Sequence, residues 1–139
     1  MPIPILVDTL FVVALINQHD QYHRRAVELS ETFEGSQLIV TDAILLEIGN
    51  SLANGYRAEA ARAIEQFLDS DEVDIIRLNP DLFSRALELY KSRTDKFWGL
   101  VDCISFVVMK ERGIGEALTF DRHFVQAGFR ALMRDDAQA

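Results

Sequence analysis

The sequence predicts an α/β sandwich around a mostly parallel sheet, and three observations carry that reading. Short apolar runs recur along the whole chain, at Ile3–Val7, Leu38–Val40, Val73–Leu78 and Ala117–Phe120, each too brief and too continuous for an amphipathic helix. Segments with helical periodicity lie between them, which is the pattern of strand–helix–strand units. Two of the runs end in an aspartate, Asp8 and Asp121. In parallel sheets, ligands bind outside the carboxyl ends of the strands.

Taken in order, the first strand (Ile3, Ile5, Leu6, Val7) stops at Asp8, and Leu10 to Ile16 read as a short apolar helix broken by Asn17 to Asp20. From Gln21, QYHRRAVELSETF is helical, with Tyr22, Ala26, Leu29 and Phe33 as its inner row and Gly35 and Ser36 as its end. Leu38 to Val40 form the second strand, after which Thr41 and Asp42 both suit a helix N-cap. That helix buries Ile44, Leu45, Ile48 and Leu52. Glu47 lies about 120° from the centre of this face, at its flank.

Asn54 and Gly55 mark a turn, and Ala58 to Leu68 form an alanine-rich helix followed by the acidic turn 69–72. Val73, Ile75, Ile76 and Leu78 give the third strand. Asn79 and Pro80 then cap and open a helix whose expected inner side is Leu82, Phe83, Ala86, Leu87, Leu89 and Tyr90. The loop KSRTDKFWG, basic and aromatic, leads into WGLVDCISFVVMKER, where Asp102 is surrounded by apolar residues and Gly113 is a natural C-cap. Ala117 to Phe120 form the fourth strand, and DRHFVQAGF is a helical turn stopped at Gly128. Phe129 to Met133 are an edge strand, so residues 1–133 form a single domain with a frayed tail at 134–139.

At 139 residues and 49% hydrophobic, the chain is long enough for one sizeable core. It has no apolar stretch of about 18 residues and no signal-peptide start, so a cytoplasmic protein away from membranes is expected. Cys103, the single cysteine, has apolar neighbours and reads as a buried thiol. The net charge of −8 stays negative with the four site carboxylates set aside. An acidic surface does not by itself attract nucleic acid; it suits a basic protein partner or an anionic substrate approached through cations and local basic patches.

Asp8, Glu47, Asp102 and Asp121 are the residues with chemistry to offer. Each also has a plainer use: Asp8 as a helix cap, Glu47 on a solvated face, Asp102 as an N-cap if 98–101 is loop, and Asp121 in a turn. If they converge, their repulsion demands compensation. Hard oxygen ligands with no histidine or thiolate among them suit Mg²⁺ or Mn²⁺, and the reaction class is metal-assisted phosphodiester hydrolysis. Other chemistries find no support. GxxxxGKS/T, GxGxxG and HExxH are absent, His19, His23 and His123 read as surface or hydrogen-bonding residues, and Leu10 stands where a dehalogenase-like phosphatase needs its second acid.

The segments LVDTLFVVAL, DQYHRRA, TDAILLEIGNSL, DKFWGLVDCISFVVMKERGI and ALTFDRHFVQAGF, in this order and at these separations, resemble PIN-domain ribonucleases, and within them the VapC-type toxins of prokaryotic toxin–antitoxin pairs. The resemblance implies a PIN-like three-layer sandwich of about five strands in the order 3-2-1-4-5. It implies an endoribonuclease whose Mg²⁺ or Mn²⁺ site is Asp8, Glu47, Asp102 and Asp121, with Asp8 and Asp102 as direct ligands. Thr9, Ser105 and Thr119 become supporting residues. A homodimer, an RNA substrate and a cognate VapB-type antitoxin laid over the cleft are its implied partners. Leu10 departs from the small polar residue common two places after the first aspartate. Lys91, Arg93 and Lys96, with Trp98 as a stacking surface, are the candidate RNA contacts, set against the stronger plain reading in which the basic loop residues are solvated and Trp98 belongs to the core, and Arg112 and Arg122 are placed to balance the site's charge. The competing readings are a non-catalytic PIN-like module that binds RNA or protein, and an α/β phosphatase.

Overall fold

The structure is a computed structural model and describes residues 3–134. Five strands, β1 (Ile5–Val7), β2 (Leu38–Thr41), β3 (Val73–Ile76), β4 (Glu116–Leu118) and β5 (Arg130–Ala131), form one sheet in the order β3-β2-β1-β4-β5. Every pairing is parallel, so the sheet is more uniform than the expected mostly parallel one. The central strand is the most apolar: all of Ile5, Leu6 and Val7 are buried, as a strand covered on both faces must be.

Seven helices complete the described residues: α1 (Thr9–Ile16), α2 (His23–Thr32), α3 (Asp42–Ser51), α4 (Arg57–Asp69), α5 (Pro80–Ser92), α6 (Leu100–Arg112) and α7 (Arg122–Gln126). Among the helix packings, α1 meets α2 and α3, α3 meets α4, α5 meets α6 and α6 meets α7, with α3 and α6 also in contact. Right-handed crossovers, the rule for parallel strands, would set the connections toward β3 and those toward β5 on opposite faces. The chain direction across the sheet reverses between β1 and β4. The Asp8 amide donates to the Leu118 carbonyl there (3.2 Å), the last rung before both strands leave the sheet.

Several expected boundaries shift. The fourth strand ends at Leu118, because its partner β1 ends at Val7; Thr119, Phe120 and Asp121 lie beyond the ladder. Leu78 is outside β3 and donates its amide to Asp42, leaving Thr41 as the cap of α3 through a 3.1 Å bond from the Ile44 amide. The edge strand is only Arg130–Ala131, followed by a 3₁₀ turn. Of the expected tail, Arg134 is held by a 2.8 Å bond to the Phe120 carbonyl, and 135–139 lie outside the described residues.

The expected inner side of α5 is half wrong. Leu82 and Ala86 are buried and Leu89 packs against the core, whereas Phe83, Leu87 and Tyr90 are 41%, 37% and 49% exposed. Both rows have i, i+4, i+7 spacing and lie side by side on the helix, so periodicity could not separate the buried row from its neighbour. Gly113 closes α6 in the left-handed conformation (φ 68°), as its position suggested.

Candidate active site

Asp8 follows β1 directly and stands at the N-cap position of α1, yet its side chain makes no capping bond. The carboxylate instead accepts the Thr119 hydroxyl at 2.7 Å and is only 5% exposed. Burial raises its pKa to about 7; the Thr119 bond works against the rise, and the charges of Asp102, Asp121 and Glu47 add to it. The capping use of Asp8 is thereby excluded.

Asp102 is not the mid-helix charge that its apolar neighbours suggested. The helix begins at Leu100, so Asp102 sits in the first turn, where it accepts the Gly99 amide at 3.1 Å. Its cap role is real, and the helix N-terminus favours its negative charge. Burial raises its pKa, opposed by the bonds from His123 and Gly99. The Cys103 side chain turns into the core, where burial pushes its thiol up to about 11.

Asp121 caps the short α7 by accepting the His123 amide at 2.9 Å, and its own amide donates to the Thr119 hydroxyl oxygen at 3.1 Å. Glu47, on the flank of α3, accepts the Thr9 hydroxyl at 2.6 Å. Asp8, Glu47, Asp102 and Asp121, with Thr9, Leu10 and Ser51, line one cleft of about 180 Å³. The four carboxylates, drawn from four separate segments, therefore share one space.

His123 was missed as a member of this group. Its Nδ1 lies 3.0 Å from Asp102 Oδ2 and 3.5 Å from Asp121 Oδ1, and one ligand atom from each of the three residues falls within a 4.8 Å cluster. The signal was local: in Asp-Arg-His at a helix start, the residue two after the capping acid turns back over it. His123 stands against the acids where the sequence had put arginines to balance their charge. Arg112 pairs instead with Asp74 at 3.0 Å, at the far end of α6 from Asp102, and Arg122 is exposed. Ser51 was also missed, and its residue type alone gives no warning.

The supporting residues divide. Thr9 and Thr119 are buried and bonded to site carboxylates. Ser105 is 1% exposed, and its hydroxyl meets no hydrogen-bond partner among the described residues. Leu10, the departure in the motif, forms part of the cleft wall.

Trp98 is not a stacking surface for RNA. It is 6% exposed, donates Nε1–H to Gln126 at 3.0 Å and packs edge-on against Phe106. Arg93 holds Asp95 through two bonds and places its guanidinium 4.9 Å from the Trp98 ring centre. Lys96 lies 3.8 Å from Asp95, and Lys91 lies 3.5 Å from Glu88.

Compared with protein families, residues 5–130 match the one described as the PIN domain. A VapC ribonuclease of Aquifex aeolicus is 32% identical over 108 residues, covering 76% of this chain and 75% of that protein. The 23S rRNA-specific endonuclease VapC20 of Mycobacterium tuberculosis is 32% identical over 127 residues, covering 90% and 95%. The crystal structure of M. tuberculosis VapC20, titled a sarcin–ricin loop cleaving toxin, superposes with a TM-score of 0.82 at 30% identity, over 90% of this chain and 95% of that one.

Proposed function

The chain belongs to the PIN-domain family, and from that premise we propose that it is a divalent-metal-dependent endoribonuclease, the toxin of a toxin–antitoxin pair. One observation carries the reading: four carboxylates from four segments line a single small cleft beside the point where the sheet reverses direction. The donor set fits the expected ion. Asp8, Asp102 and Asp121 would hold Mg²⁺ or Mn²⁺ with Glu47 beside them, and carboxylate oxygens are the ligands those ions prefer. A bound cation supplies Lewis acidity to the scissile phosphate and makes water a better nucleophile.

The chain's own groups do the rest. Thr119 holds the Asp8 carboxylate from one side, and the Gly99 amide and His123 hold Asp102. Glu47, fixed by Thr9, would orient the attacking water and accept its proton. Water attacks phosphorus and gives up a proton, the bond to the leaving oxygen breaks, and that oxygen takes up a proton, so none is gained or lost overall.

Charge supports the partner. An antitoxin segment with an inserted arginine would find paired acceptors in these carboxylates. The exposed row Phe83 and Leu87 on α5 supports self-association of two copies. No helix among the described residues is long and apolar enough to cross a membrane, and an RNA substrate accords with action in the cytoplasm. The alternative of a non-catalytic binding module is disfavoured by the intact set of acids.

The test is cleavage of a sarcin–ricin stem-loop and of an unstructured RNA by the purified chain with Mg²⁺ or Mn²⁺. Cleavage that EDTA abolishes supports the reading. Binding without cleavage under either metal would leave the binding module instead, and turnover of a phosphomonoester but not RNA would favour a phosphatase.

A further inference from the structure

Phe97 is 93% exposed, the most exposed of the large apolar side chains among the described residues. Nothing in the fold uses it, and a phenylalanine left in water forgoes the gain of burying its ring. Its neighbour Trp98 is buried against Phe106, although it also borders the cavity beside Phe97. The turn that displays Phe97 is itself built: Arg93 grips Asp95 and rests over the Trp98 ring, and the Lys96 amide donates to the Arg93 carbonyl at 3.2 Å. The phenyl ring is thus presented from a fixed turn.

It forms one wall of an open cavity of about 550 Å³ whose lining includes Tyr90, Arg93, Lys96, Trp98 and Gly99. Small organic ligands occupy pockets of about 300–1,000 Å³. The cavity adjoins the acidic cleft through shared backbone, since the Gly99 amide that borders it is the one bonded to Asp102. Its charge is opposite to that of the chain as a whole. The two charged side chains in its lining, Arg93 and Lys96, are both basic within a protein of net charge −8, and both lie against the single acid Asp95.

An aromatic face among cations beside a phosphodiester-cleaving site is the arrangement that holds unpaired nucleotides, with bases stacked on the ring and phosphates near the cations. A basic peptide would be repelled by the same lysine and arginine.

We infer that Phe97 is a base-stacking platform for an unpaired nucleotide flanking the scissile phosphate, with Arg93 and Lys96 facing the RNA backbone. The inference rests on the ribonuclease reading of the neighbouring cleft. It transfers to Phe97 the role that the sequence assigned to Trp98.

The test uses the full chain carrying Asp8→Asn, so that RNA is bound without being cut, and a short single-stranded oligoribonucleotide containing 2-aminopurine. Stacking on Phe97 quenches the probe's fluorescence. Adding Phe97→Ala should remove the quenching and weaken binding about tenfold, as loss of one stacked base does. Phe97→Trp should keep both within about threefold, and in the cleaving parent Phe97→Ala should raise KM more than it lowers kcat. Because the ring is exposed, the fold should tolerate these changes, and unchanged melting temperatures check this. Binding by Phe97→Ala within twofold of its reference, while the parent still cuts RNA, overturns the platform and leaves the ribonuclease reading intact. Loss of self-association in Phe97→Ala with RNA binding unaltered overturns it in favour of a protein contact. A parent that neither binds nor cuts RNA overturns both readings together.

Discussion

The Thr119 hydroxyl donates to Asp8 Oδ2 at 2.7 Å, and its oxygen accepts the Asp121 amide at 3.1 Å. One buried side chain therefore ties together the acids that follow β1 and β4. Thr119→Val keeps the shape and removes the hydroxyl, leaving a buried carboxylate and an amide without that partner. The expected loss is about 1–3 kcal/mol of stability by urea denaturation, with Thr119→Ser close to the parent. An unchanged midpoint in Thr119→Val would show that the bond does not hold the site.

Asp8 makes the metal-free protein pH-sensitive in an unusual direction. Its folded pKa of about 7 lies above the ordinary 3.8, so between these values the folded state binds more protons than the unfolded one. Stability from this group is full below about pH 4, falls as pH rises toward 7 and is flat beyond, a difference on the order of 4 kcal/mol. Asp8→Asn should flatten that slope and raise the melting temperature at pH 8 more than at pH 5, measured in EDTA. Equal shifts at the two pH values would contradict a buried, costly charge.

His123 stands between Asp102 and Asp121 where a cation's charge would be welcome. His123→Ala should lower the metal-free melting temperature at pH 6, with a loss of about 1 kcal/mol because these side chains are partly solvated. Mn²⁺ should then stabilise the variant at least as much as the parent, since the ion takes over the balancing of the carboxylates. Failure of Mn²⁺ to stabilise either protein would remove the metal site from the account.

The row on α5 gives a separate expectation. Phe83→Glu with Leu87→Glu should shift the protein toward monomer in sedimentation while leaving its melting temperature within a few degrees, because both residues are exposed. A parent that is monomeric at all concentrations would remove the self-association proposal.

The fold was legible because β1, β2 and β3 lie in short, largely apolar runs and every long helix carries a periodic face, whereas β4 and β5 start on Glu116 and Arg130 and were legible mainly through the apolar residues after them. Of the four carboxylates, Asp8 and Asp121 stood out by following apolar runs and Asp102 by interrupting one, while Glu47 showed only as a flanking residue of its helix. What escaped depended on three-dimensional neighbours. Residue type made Trp98 and Phe97 interchangeable as candidate platforms, and only the core beneath Trp98 separates them. His123 was hidden because its partner Asp102 is 21 residues away in sequence. The exposed side of α5 escaped because two adjacent rows were equally apolar. Leu118 ended its strand early because β1, its partner, had already ended.

The most direct measurement is RNA cleavage by parent and Asp102→Asn side by side in Mn²⁺, with the melting temperature of each taken in EDTA and in Mn²⁺. An asparagine oxygen can still accept the Gly99 amide, so the helix cap should survive and the EDTA melting temperature should stay close to the parent's. Cleavage should be lost, and the Mn²⁺-induced rise should be smaller in the variant. Parent-like cleavage by Asp102→Asn, or an equal Mn²⁺ rise in both proteins, would contradict Asp102 as a metal ligand.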